Sequence, residues 1–276
     1  MTQTARLPVY FVPHGGGPWP FMEFPKDETG RGPWDELAEF LTHFPKNVGS
    51  TPKAILMVSG HWEKEPLPTV STAKAPGMLF DYYGFPEHTY QLSYPAKGDP
   101  ALAQHVRAVL SEAGIASSED SERGFDHGVF IPMMVAYPEA DVPVVMMSLK
   151  NTLDTESHIA LGKALAKLRD EDVLIIASGM SYHNMRMFRS RDTQHEAAAK
   201  RFDDWLTAAV ALEDPDARAS ELAKWHENPD ALACHVPDHD HLVPLFVAAG
   251  AAGSDRGQQV FSGTIWGKAY SGYRFG

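Results

Sequence analysis

Residues 173–186, VLIIASGMSYHNMR, limit the possible folds more than any other stretch. Five apolar residues without helical period, closed by Ser-Gly, read as a buried parallel strand that stops in a polar loop. That loop holds His183. Residues 7–12 form a second apolar run, which ends in Pro13, His14 and the glycines Gly15 to Gly17. Residues 54–58 form a third, which ends in Ser59, Gly60, His61 and Trp62. One histidine after one strand is usually an ordinary structural residue. Three at the same end of three strands mean more, because parallel strands bring their carboxyl ends together and ligands bind beyond that edge. The expectation is an α/β chain, one domain over residues 1–276, with a central, mostly parallel sheet flanked by helices and a metal site at the carboxyl ends of the strands.

The other segments fill in around this frame. Helical spacing predicts helices over 33–44, 100–113, 155–169, 193–212 and 215–227, with a strand over 142–149 that ends in no histidine. The helix at 155–169 and the strand from 173 close a βαβ unit. Residues 259–275 alternate as an edge strand or hairpin. Gly15 to Gly17 lack the ending and the spacing of phosphate-binding loops, which leaves close approach of backbone to a metal or substrate. Residues 18–31 read as an irregular loop. Residues 80–95, FDYYGFPEHTYQLSYP, follow neither period, and their aromatics suit a wall or lid for a planar substrate, or a subunit contact in a homodimer. In RGFDHGVFIP, Asp126 and His127 share a glycine-flanked turn in which the carboxylate could fix the imidazole tautomer. Residues 235–241 contain three histidines and two aspartates ahead of an apolar helix over 242–252, a composition that points to metal ligation.

With 24 Lys+Arg against 36 Asp+Glu the net charge is -12, and no basic cluster interrupts it. Nucleic acid and anionic membrane are therefore poor partners. The single cysteine, Cys234, excludes an internal disulfide and fits a reducing, cytoplasmic setting. No stretch approaches the roughly 20 apolar residues of a membrane helix. Histidines from separate strand ends, without thiols, suit a borderline ion such as iron, zinc, manganese or copper, held in a mononuclear site with open positions.

PHGGGP, SGHWE, YYGFPEHTYQLSYPA, RGFDHGVFIPMMVAYPEADVPVV, SYHNMR and HLVPLFVAAGAAG resemble, in this order, the blocks of the class III extradiol ring-cleavage dioxygenases, in the DOPA-4,5-dioxygenase-like branch. The resemblance runs almost from end to end. It implies His14, His61 and His241 as metal ligands, with Fe(II) as the active ion. It implies His183 as the catalytic histidine, which some branch members count as a fourth ligand, and His127 as the second active-site histidine. The run before Leu-Val-Pro-Leu holds one residue more than the family pattern, so His239 or Asp240 stands as an alternative to His241, which alone keeps that run in register. A third histidine where the wider superfamily has a carboxylate leaves Zn(II) open as the resident ion. The implied reaction inserts O2 into a catechol-type aromatic beside its diol and gives a muconic semialdehyde, so the partners are a small aromatic diol and O2. A zinc-dependent hydrolase and a non-catalytic metal-binding protein on the same fold are the alternatives. No Arg or Lys can be assigned to a substrate carboxylate, although Arg123 and Arg186 lie near motif histidines in sequence.

Overall fold

The computed structural model describes residues 6–276, so the first five residues of the expected domain lie outside the described residues. The strands are β1 (Val9–Pro13), β2 (Ala54–Ser59), β3 (Thr69–Ser71), β4 (Ser118–Asp120), β5 (Val144–Met147), β6 (Val173–Gly179), β7 (His183–Asn184), β8 (His235–Val236), β9 (Gly257–Ile265) and β10 (Lys268–Phe275). Eight of them form one sheet in the order β4-β3-β5-β2-β6-β1-β10-β9. Its centre, β5-β2-β6-β1, is parallel, while β3, β10 and β9 add antiparallel pairings toward the two sides. Every residue of β1, β2, β5 and β6 is buried. Since side chains alternate faces along a strand, burial at every position requires cover on both faces.

That cover comes from the helices α1 (Asp35–Val48), α2 (Pro100–Glu112), α3 (His127–Ala136), α4 (Thr155–Leu165), α5 (Thr193–Val210), α6 (Pro215–Ala223), α7 (Ala231–Cys234) and α8 (Val243–Ala252). Helices α2, α4, α5 and α6 each start at an aspartate, Asp99, Asp154, Asp192 and Asp214, whose carboxylate accepts a hydrogen bond from a first-turn N–H. Each such cap is worth about 1 kcal/mol. Helix α8 packs on β6 and β1 and is itself clasped by α4, and α3 packs on β2 and β6. All ten residues of α8 are buried, as an apolar helix without an amphipathic face requires. No helix among the described residues is long and apolar enough to cross a membrane.

The expected α/β architecture with its mostly parallel sheet is observed, with local differences. Helix α1 starts at Asp35 and runs to Val48 with Pro45 inside it, where a helix over 33–44 was expected. The helix from 155 ends at Leu165, and a 3-10 segment, Ala166–Glu171, carries the chain on to β6. Likewise α6 stops at Ala223 before the short turn Trp225–Glu227. The hairpin β9–β10 is present, but only β9 is an edge; β10 lies inside, paired to β1. The unit from β5 through α4 to β6 crosses over β2, which lies between the two strands. Strands β3 and β4, three residues each, escaped the sequence reading because they are too short to show a period.

Candidate metal centre

Register brings the strand ends level. Pro13 of β1 lies opposite Gly179 of β6, and Ser59 of β2 lies opposite Ser178. His14 and His61 therefore leave the sheet at the same edge, on either side of β6. His241 reaches them from the segment before α8, which lies across the end of β6: Met180 N–H donates to the His241 carbonyl at 2.9 Å. Gly179 allows this crossing, since a Cβ there would stand 2.2 Å from the His241 oxygen. The His61 Nε2 atom lies 3.2 Å from His14 Nε2 and 3.1 Å from His241 Nε2.

On the opposite side of each ring, Nδ1 faces an oxygen. His14 Nδ1 meets Ser178 Oγ at 3.0 Å, and Ser178 in turn donates to the Gly128 carbonyl. His241 Nδ1 meets Asp240 Oδ1 at 2.9 Å, and His61 Nδ1 faces Asp81 Oδ2 at 3.4 Å. The hydrogen bonds of His14 and His241 assign their proton to Nδ1, the nearby Asp81 carboxylate favours the same tautomer for His61, and Nε2 of His61 then faces Nε2 of the other two. Lone pairs at that distance repel unless a cation lies between them. With metal–nitrogen distances of about 2.0–2.1 Å, two nitrogens on one ion stand about 3 Å apart at a right angle and about 3.4 Å apart at the tetrahedral angle. The observed spacings fall within this range, so the donor set fits one imidazole-bound divalent ion. His14 is fully buried and His241 is 3 % exposed, so the position is largely closed off from bulk water.

His127 and His183 flank the trio. The His127 ring centroid lies 3.9 Å from that of His61 and 5.6 Å from that of His14. His183, held by the short pairing of β7 with β8, stacks face to face on His241 at 3.5 Å and 11°. Its Nδ1 stands 3.9 Å from Asp240 Oδ1. Burial, reinforced by repulsion from neighbouring imidazoles, drives the pKa of His14, His61 and His183 well below 6.5. All three are neutral at pH 7, the form that can ligate a metal or accept a proton. For Asp240, burial acts to raise the pKa, but hydrogen bonds and attraction to His241 outweigh it and hold the carboxyl well below the usual range. For Asp81 too, burial acts upward and the hydrogen bonds and charge of His127 prevail.

His239 lies apart from this cluster. Its Nε2 is 2.9 Å from the Leu153 carbonyl and its ring lies 4.6 Å from Trp225. His235 is likewise engaged elsewhere, with the Ser181 carbonyl at 3.0 Å. Asp126 and His127, adjacent in sequence, do not pair. Asp126 accepts instead from Ser59 Oγ at 2.8 Å and from Arg123 at 3.2 Å, because His127 opens α3 and its ring turns away from its neighbour in sequence. Its partner is Asp81, whose Oδ1 lies 2.8 Å from His127 Nδ1. Asp81 was missed from sequence; a lone acid within the aromatic run 80–85 was the available signal.

A cleft of about 380 Å3 opens beside the cluster, lined by His61, Trp62, Glu63, Lys64, Glu65, Leu79, Asp81, Arg123 and Asp240. This is large enough for a single substituted ring. Arg123 stands over the Trp62 ring at 4.6 Å and donates to the His61 carbonyl at 3.1 Å, while Arg186 is exposed and is not among the lining residues. Of the aromatic segment 80–95 only Asp81 lines this cleft; Tyr82 is buried, its ring 5.7 Å from that of His127, whereas Tyr83 is 90 % exposed.

Residues 9–272 match the family model described as the catalytic LigB subunit of aromatic ring-opening dioxygenase. The chain is 33 % identical over 271 residues to a 4,5-DOPA dioxygenase extradiol of Beta vulgaris, covering 97 % of this chain and 96 % of that one. It is 35 % identical over 267 residues to the dioxygenase tasH of Hapsidospora irregularis, covering 91 % and 80 %. The crystal structure of an uncharacterized protein from Escherichia coli K12 superposes with a TM-score of 0.77 at 25 % identity, covering 98 % of this chain and all of that one.

Proposed function

Because the chain belongs to the extradiol family of catalytic LigB subunits of aromatic ring-opening dioxygenases, in its DOPA-dioxygenase-like branch, we propose that it cleaves a catechol-type ring beside the diol, to a muconic semialdehyde, at an iron held by His14, His61 and His241. That it is a ring-cleaving dioxygenase taking an aromatic substrate and O2 follows from the family. The ligands, the ion and the catechol are our reading. The observation that carries it is that His61 Nε2 stands 3.2 Å from Nε2 of His14 and 3.1 Å from Nε2 of His241, with two further histidines against the trio.

Fe(II), when bound, supplies the redox path between a diol and O2. The chain supplies the rest. Neutral His183 is placed to take a proton from a substrate hydroxyl and return it to the departing oxygen, with Asp240 at 3.9 Å to stabilise the imidazolium in between. Its face-to-face stacking on His241 favours this role over that of a fourth ligand. His127, with Nδ1 held by Asp81, presents its other nitrogen to hydrogen-bond substrate or oxygen. Buried Trp62 supplies an apolar surface of the cleft.

The test is anaerobic loading with Fe(II), then oxygenated buffer and a panel of catechols headed by DOPA, the substrate in the relatives' names. Stoichiometric O2 uptake with a yellow ring-fission product is the expected result. Silence across the panel with iron demonstrably bound would overturn it.

A further inference from the structure

We propose that Asp81 is a positioning residue whose single carboxylate orients both His61 and His127, so that a segment outside the sheet sets a metal ligand and its neighbouring histidine together. The inference rests on the reading of His61 as a ligand. Oδ1 of Asp81 accepts from the His127 backbone N–H at 3.0 Å and from Nδ1 at 2.8 Å, while Oδ2 faces His61 Nδ1 at 3.4 Å. A carboxylate has acceptor capacity for all three. The residue as a whole is exposed at the cleft, while its side chain is 19 % exposed and turned toward the two histidines. Asp126, next to His127 in sequence, is occupied by Ser59 and Arg123, and Asp240 by His241.

The backbone carrying Asp81 is tied to the chain just before α3. Leu79 N–H donates to the Phe125 carbonyl at 2.8 Å, and Asp81 N–H donates to the Leu79 carbonyl at 3.1 Å. Beyond it, the Tyr82 hydroxyl donates to the Thr89 carbonyl. Asp81 and His127 therefore hold a fixed relation to each other, and His61 is oriented against that unit. Partners that fix a ligating imidazole's tautomer commonly change metal affinity or activity 10–100-fold, which is roughly the effect expected here.

The test is Asp81→Asn, which keeps size and one acceptor but removes the charge. Chelator-treated protein is titrated with Co(II) against a competing chelator, and the visible ligand-field spectrum is recorded. The expected results are affinity lowered roughly tenfold or more, an altered spectrum, and kcat toward the best catechol falling more than KM rises. Wild-type Co(II) affinity and spectrum in the variant would overturn the proposal. Should the variant fail to fold, 15N-detected histidine tautomers in the wild-type apoprotein decide. Both His61 and His127 are expected with the proton on Nδ1, and Nε2 protonation of either sinks the idea. Neither the Co(II) nor the tautomer measurement involves a catechol, so they stand apart from any failure of the dioxygenase reading.

Discussion

At the scale of single residues, two histidines two positions apart have opposite surroundings. His241 Nε2 lies 3.1 Å from His61 Nε2, whereas His239 Nε2 is satisfied by the Leu153 carbonyl. His241→Ala is therefore expected to lower metal affinity by more than about tenfold, since losing even an outer partner of a ligand costs that much. His239→Ala is expected to leave metal content near wild type, and metal analysis of the purified variants checks both. His183→Ala is expected to keep its metal but lose roughly a hundredfold or more in turnover, the contribution typical of a placed acid–base group. Steady-state O2 uptake on iron-loaded protein measures this, and retention of full activity would exclude the acid–base role. Of the five clustered histidines, His14, His61 and His183 were legible because strands of known direction run into them, and His127 and His241 because the family blocks carry them. Asp81 and Ser178 were not, because a hydrogen-bond acceptor for an imidazole needs no motif, only proximity.

At the scale of elements, the site depends on how closely the segment before α8 crosses the end of β6. A methyl group at Gly179 would stand 2.2 Å from the His241 carbonyl oxygen. Gly179→Ala is accordingly expected to destabilise the fold by about 1–3 kcal/mol, the usual cost of overpacking, and to weaken metal binding by displacing His241. Urea unfolding and a Co(II) titration test the two effects separately. The long elements were legible because apolar runs of five to seven residues and capped helices carry their own signals. The limits of α1 and α4 were not, since whether a helix runs through a proline or tightens to a 3-10 turn is settled by what it packs on. For the aromatic segment, read as a substrate wall or lid or as a subunit contact, which side chains face inward is a matter of its fixed backbone, with Tyr82 buried and Tyr83 in water.

At the scale of the whole molecule, the cluster of neutral histidines links stability to pH. His14, His61 and His183 have native pKa values well below 6.5, against about 6.5 in the unfolded chain. The unfolded state therefore binds more protons below about pH 6.5, so apoprotein stability is full above that pH and falls as pH drops toward the native values. Each histidine contributes at most about 1.4 kcal/mol per pH unit to the slope. Asp81 and Asp240, held low, add to the loss only near and below about pH 4. Thermal unfolding of chelator-treated protein is expected to show its midpoint falling from pH 7 to pH 5. Added metal should raise the midpoint at pH 7 and lose this effect on acidification, as protons compete for the ligands. A flat profile for the apoprotein would contradict the neutral cluster. The sequence by itself determined the α/β class and the family, and it marked the histidines that the fold brings together, because strand periodicity, strand direction and the family blocks are written locally along the chain. Only the tertiary structure decided that His241, and not His239, stands against His61, which carboxylate serves His127 and how far each helix runs. Those outcomes depend on distances between segments up to 180 residues apart in sequence, such as His61 and His241, and such distances exist only once the sheet has aligned its strand ends.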